Sequence, residues 1–142
     1  NVWSCINLIR DHRKTPQWVD RVVLFDRIRA EGDSVWCTYA ELAVPWPFAN
    51  KDLTNRNRLV RLGTSHYQIV CVSEPDLIPE KEGKVRVQHS LAIWEFKQAT
   101  PNKTQVVYTL QAGPEKFIPG WLLQKLVIQT MFNTFENMRK QF

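Results

Sequence analysis

Residues 35–52 read VWCTYAELAVPWPFANKD, a β-branched and aromatic run over 35–44 that stops against a proline-bounded loop. Pro45 and Pro47 bar this loop from a sheet interior, yet Trp46 and Phe48 need something to cover, which predicts a packed surface loop. Upstream, residues 22–29 carry a similar strand pattern, and Glu31, Gly32 and Asp33 make a turn of hairpin length between the two runs. These two segments are therefore expected to pair antiparallel.

Downstream, residues 53–62 and 67–73 form a second strand pair around a turn at 63–65, and 74–83 is a loop punctuated by Pro75, Pro79 and Gly83. Residues 85–96 and 104–112 form a third pair around Pro101 and Asn102. At the N-terminal end, Val2, Cys5, Ile6 and Ile9 recur at helical spacing, and Pro16 restarts the chain in a helical turn carrying Trp18. After Gly113 and Pro114, the segment 118–142 reads as one long helix. Leu123, Val127, Met131, Phe135 and Met138 lie on its apolar arc, opposite Gln129, Asn133, Glu136 and Lys140. The expected order is a helix, six strands and a helix, in one domain spanning 1–142.

With 142 residues there is room for one core. An apolar fraction of 44% and a charged fraction of 23% are those of a globular chain, and no stretch approaches the ~20 apolar residues a membrane-spanning helix needs. Cys5, Cys37 and Cys71 are odd in number, far apart and set in apolar periodic segments. Buried thiols in a reducing, cytoplasmic setting fit them better than disulfides, and they lack the close spacing of a zinc site. The net charge of +5 suits a solvated surface or attraction to anionic lipid. Nucleic acid is not expected, since no run of five or six Lys or Arg and no aromatic RNA-reading motif is present.

Three segments in order, VWCTYAELAVPWPFANKD, KVRVQHSLAIWEF and TQVVYTLQAGPEKFIPGWLLQKL, resemble the START (steroidogenic acute regulatory protein-related lipid-transfer) family. The likeness is closest to the phosphatidylcholine transfer protein branch, whose aromatic-proline loop ends Asn-Arg-Asp, here Asn50, Lys51 and Asp52. The resemblance implies an α+β helix-grip fold, a curved antiparallel sheet wrapped around the C-terminal helix, with a tunnel for one lipid. It also implies either an incomplete N-terminus or a sheet completed in another way, because the family's opening helix and first strands have no counterpart before Asn1. The family's Arg aligns with Asn57, which breaks the expected interior carboxylate-guanidinium pair with Glu41, and a family Asp becomes Gly113.

Glu41 and its neighbours Leu42 and Val44 divide between the two faces of their strand, so one set faces the concave side. The resemblance puts Glu41 inward; the alternative is a carboxylate at the sheet's rim in water. A buried carboxylate needs partners, and Asn57 offers amide donors but no charge. The expected ligand-binding set is Glu41, Asn57 and Tyr108 as polar groups, Trp46 and Phe48 at the mouth, and Leu123, Val127, Met131 and Phe135 as the roof. His66, His89 and Cys71 lack a nucleophile motif, so no catalytic residue, metal or cofactor is expected. Arg56 and Arg58 are expected to point outward. The function so indicated is non-enzymatic binding or transfer of one hydrophobic lipid, phospholipid or sterol, with transient membrane contact and self-association through an open sheet edge. The alternatives are a polyketide cyclase or aromatase on the same fold, and a module whose groove takes a protein segment.

Overall fold

The computed structural model describes residues 1–113 and 118–142. Chain order is α1 (Val2–Arg10), α2 (Thr15–Trp18), β1 (Val22–Ala30), β2 (Val35–Leu42), β3 (Lys51–Gly63), β4 (His66–Ser73), β5 (Val85–Arg86), β6 (Ser90–Thr100), β7 (Lys103–Ala112) and α3 (Gly120–Arg139). The strands form one curved sheet in the order β1-β2-β3-β4-β6-β7, antiparallel throughout, with β5 added parallel to β3.

The expected single strand 85–96 is therefore two, which makes seven strands rather than six. The reason is a difference in length between neighbours. β3 has 13 residues and β4 only 8, and their pairing reaches just to Asn55 and Ser73, so the start of β3 extends past β4. Val85 and Arg86 pair with Lys51 and Asp52 on that extension, and the chain then steps across to lie beside β4 as β6. Ser73 marks the step, since its hydroxyl accepts from the Ser90 amide at 2.8 Å and donates to the Gln88 carbonyl at 3.3 Å.

Strand alternation assigns the two faces. Trp36, Thr38, Ala40 and Leu42 of β2 lie level with Asn57, Asn55, Leu53 and Lys51 of β3, and all eight face the concave side. Cys37, Tyr39 and Glu41 lie level with Arg56, Thr54 and Asp52 on the convex side. That convex side is not left to water, because the loop 74–84 covers it. Arg86 anchors the loop by donating to Asp52 Oδ1 at 2.7 Å and Oδ2 at 3.2 Å, and to the carbonyls of Pro75, Ile78 and Pro79 at 2.7, 2.8 and 3.1 Å. Tyr39 Oη donates to Asp52 Oδ2 at 2.9 Å. Both charged side chains are 1% exposed, so every lone pair and proton used here replaces lost water. Burial pushes the Asp52 carboxyl up, and the bonds from Arg86 and Tyr39 more than offset it, leaving its pKa below the ordinary value.

The concave side carries the core. α1 buries Val2, Cys5, Ile6 and Leu8, and its first amides are capped by Asn1, whose Oδ1 accepts from the Ser4 amide at 3.0 Å. Trp94 is the hub, with ring centroids 4.5 Å from Tyr108 and 5.9 Å from both Trp18 and Phe135. α3 is shorter than the expected 118–142 by a few residues at each end, and Pro114 lies outside the described residues. A polar clamp holds the helix. The Asp20 amide donates to Thr134 Oγ1 at 3.0 Å, and Asn133 Nδ2 donates to Asp20 Oδ2 at 3.0 Å. Asn133 is therefore half-buried, not on the solvent face its spacing suggested. Arg56 points outward as expected, paired with Glu74 at 2.8 Å and with Glu31.

Candidate functional site

Between the concave face and α3 lies a cavity of about 260 Å³. Its floor is the inward set of β2 and β3 together with Ile69, Cys71, Ala92, Trp94 and Tyr108, and its roof is Leu123, Leu126, Val127, Thr130, Met131 and Thr134. Val22 and Phe25 of β1 close one side, and Trp18 and Val19 close the end next to the helix clamp. The wall is mainly apolar. Four polar positions interrupt its β3 side, where Lys51, Asn55 and Asn57 alternate with Leu53, and Thr38 stands across from Asn55.

The expected site residues divide cleanly. Asn57, Tyr108, Leu123, Val127 and Met131 line the cavity. Asn57 is 4% exposed, and its Nδ2 donates to the Trp36 carbonyl at 3.1 Å and to Thr38 Oγ1 at 3.0 Å, so its donors serve the sheet. Burial raises the Tyr108 hydroxyl above the usual phenol range. Phe135 packs against Trp94 outside the lining, and the aromatic-proline loop stands apart from the cavity, with Trp46 92% exposed and Phe48 half-buried.

Glu41 is a correction. It sits on the convex face, level with Asp52, where Lys84 Nζ approaches Oε1 at 2.5 Å and Asn50 Nδ2 donates to Oε2 at 3.0 Å. The Lys84 and Asn50 bonds hold its carboxyl below the ordinary value. Glu41 and Asn57 lie on opposite faces, because odd positions of β2 face outward while odd positions of β3 face inward in this register. Glu41→Ala is expected to leave ligand affinity unchanged and to cost about 1–3 kcal/mol, because it removes the Lys84 and Asn50 bonds from a side chain only 13% exposed. A lipid titration beside a urea melt checks this, and a tenfold loss of affinity would return Glu41 to the site.

Sequence reasoning missed Trp18, Arg21 and Asn55. Each lines the cavity and each carries one buried polar atom without a hydrogen-bond partner: Trp18 Nε1, Arg21 Nε and Asn55 Oδ1. Asn55 was legible in principle, two residues from Asn57 on the same strand face. Trp18 ends the four-residue helix α2 and Arg21 lies in the connection before β1, both too short for a periodicity that reports orientation.

A curved antiparallel sheet gripping a C-terminal helix, with a mainly apolar cavity between them, defines the helix-grip class of domains. Within that class the chain belongs to the START domain family, whose sequence model matches residues 5–142. It is 24% identical over 132 residues to an uncharacterized protein of Pseudomonas aeruginosa, covering 93% of this chain and 65% of that protein. The chain thus spans about two thirds of that relative's length. Among solved structures it superposes on a STAR-related lipid transfer protein fragment from Xanthomonas axonopodis with a TM-score of 0.86 at 24% identity, covering 99% of this chain and 78% of that one. Human STARD10 gives a TM-score of 0.82 at 19% identity, covering 98% of this chain and 58% of that one. Human StAR-related lipid transfer protein 5 gives 0.71 at 16%, covering 87% and 61%. At these identities the superpositions establish the shared fold.

Proposed function

We propose that this chain binds one hydrophobic lipid in the cavity under α3 and transfers it between membranes without chemical change. The observation that carries the reading is the mainly apolar cavity between the sheet and α3. Burial of ligand carbons there supplies about 25 cal/mol per Å² of apolar area removed from water, and a few polar wall groups orient the ligand. Lipid transfer in the names of the Xanthomonas and human structures supports the same reading. Ligand pockets commonly run from about 300 to 1,000 Å³, so this one, at about 260 Å³, lies just below that range. Of the phospholipid and sterol alternatives, that size favours a sterol or a single chain, and the aromatic-proline loop alone supports the phosphatidylcholine-transfer branch. Extraction of the purified protein with organic solvent, followed by mass spectrometry, is expected to yield lipid near one per chain. A protein that neither carries lipid nor takes it from vesicles sinks the proposal.

The cavity chemistry favours binding over catalysis. Cys71 is the thiol in the lining, and burial pushes its pKa up to about 12, so it is a neutral thiol at pH 7 and a poor nucleophile. The three buried, unpaired cysteines support cytoplasmic residence, and among the described residues no helix is long and apolar enough to cross a membrane.

Membrane contact has two candidate surfaces. The loop offers Trp46, and the outer face of α3 offers Trp121, Ile128 and Phe132, which are 71, 64 and 65% exposed. At ~100° per residue these three and Lys125 share one stripe, a pattern suited to the lipid interface. Replacing Trp121 and Phe132 with Ala is expected to slow transfer from anionic vesicles several-fold while leaving far-UV circular dichroism intact. Replacing Trp46 and Phe48 tests the loop in the same assay. Unchanged rates in both would remove these surfaces from the proposal. The edge strands β1 and β7, with Val23 and Val107 exposed, are the candidate borders for self-association.

A further inference from the structure

The cavity wall carries a cationic side chain with one buried, unpartnered donor, Arg21 Nε. Three charged residues line the cavity: Asp20, Arg21 and Lys51. Asp20 is committed to the helix clamp, where its carboxylate accepts from Asn133. Among the described residues Arg21 has no carboxylate within salt-bridge distance, and its Nε is buried without a hydrogen-bond partner. Arg21 as a whole is half-buried, and its guanidinium carries five donors in a planar fork that matches a carboxylate or phosphate.

The backbone holds Arg21 in place. Its φ is 64°, in the left-handed region that non-glycine residues rarely adopt, and its carbonyl accepts from the Ala43 amide at 2.8 Å. The strained residue is thus tied directly to the end of β2. Strained residues of this kind gather at ligand clamps, where surrounding structure holds a side chain in one direction. Lys51 stands at the same end of the cavity. Leu42 is the strand neighbour of both Val22, next to Arg21, and Lys51, so the two cationic residues flank it.

Resting on the lipid-binding reading above, we propose that the ligand is a compact amphiphile with an anionic end, a carboxylate or a phosphate monoester, that pairs with Arg21 while its apolar part fills the space under α3. The small volume supports one chain or one ring system for that apolar part.

Four probes separate the possibilities: oleate, oleoyl lysophosphatidate, methyl oleate and cholesterol, each titrated into the lipid-stripped chain. Oleate or lysophosphatidate is expected to bind at least tenfold more tightly than methyl oleate, and whichever leads identifies the anion's source. Arg21→Gln should erase that preference by lowering the affinity for the anions far more than that for methyl oleate, and Arg21→Lys should restore part of it. Equal binding of methyl oleate and both anions by the wild-type chain overturns the proposal even if Arg21→Gln fails to fold. In that outcome the lipid-binding reading survives, as it also does if cholesterol binds best. If none of the four binds, both readings fall together.

Discussion

Arg86→Ala is expected to cost about 3–5 kcal/mol of folding stability, because it leaves the Asp52 carboxylate buried with only Tyr39 for a partner. The same substitution frees the three carbonyls through which Arg86 holds the loop 74–84 against β2 and β3. For a domain of this size the loss corresponds to roughly 10–20 °C in Tm. The pH dependence follows in sign. The folded pKa of Asp52 lies below its unfolded value, so the stabilisation is complete above the unfolded pKa of about 3.9 and drains away as pH falls through the lowered folded value. Arg86→Ala should therefore lose stability at neutral pH and also flatten the acid limb. A paired Asp52→Asn, Arg86→Met variant should recover part of the loss, since it removes both charges together. Urea unfolding of the three proteins at several pH values checks this, and a single-variant loss under 1 kcal/mol would show that the pair is not what secures the convex layer.

Ala40→Trp is expected to abolish lipid binding while sparing the fold. Ala40 lines the cavity between Phe25 and Leu53, its register neighbours on β1 and β3, and it is a small side chain in the middle of the floor. An indole placed there projects into space the proposed ligand needs. In a well-packed core such an insertion costs about 1–3 kcal/mol, but an existing cavity absorbs the volume, so a smaller effect on stability is expected. Affinity for a fluorescent lipid should fall by at least tenfold. Glu41→Gln, one residue away on the other face, is the matched control and should bind as the wild type does. Full binding by Ala40→Trp would mean that the ligand lies elsewhere.

Arg86 and Ala40 lie on opposite faces of the sheet, with β3 between their strands, and that distinction of faces is where sequence reading failed. Apart from the division of 85–96 into β5 and β6, the strand segments, the long C-terminal helix and the buried thiols were legible, because β-branched runs bounded by turn residues and apolar positions at helical spacing report local structure directly. So was the break at Pro45, since proline cannot donate to a sheet ladder. Helical period put Leu123, Val127 and Met131 on one apolar arc, the family resemblance made that arc a roof, and in the structure the three line the cavity.

Glu41 was not legible in the same way. A strand with one wet face alternates in burial and so announces its orientation, but β2 is buried continuously from Trp36 to Ala40, because α3 and the core cover one face and the loop 74–84 covers the other. Its period-2 signal vanishes, and a carboxylate near its end reads equally well as inward or outward. The sequence by itself determined which segments become strands and helix, since those choices depend on neighbours within a few residues. Only the tertiary structure decided that Asp52 and Arg86, 34 residues apart, meet beneath a loop, that Glu41 turns away from the cavity, and that Arg21 lines it. Those outcomes depend on which layers cover each face of the sheet, and such long-range packing leaves no periodic trace in the chain.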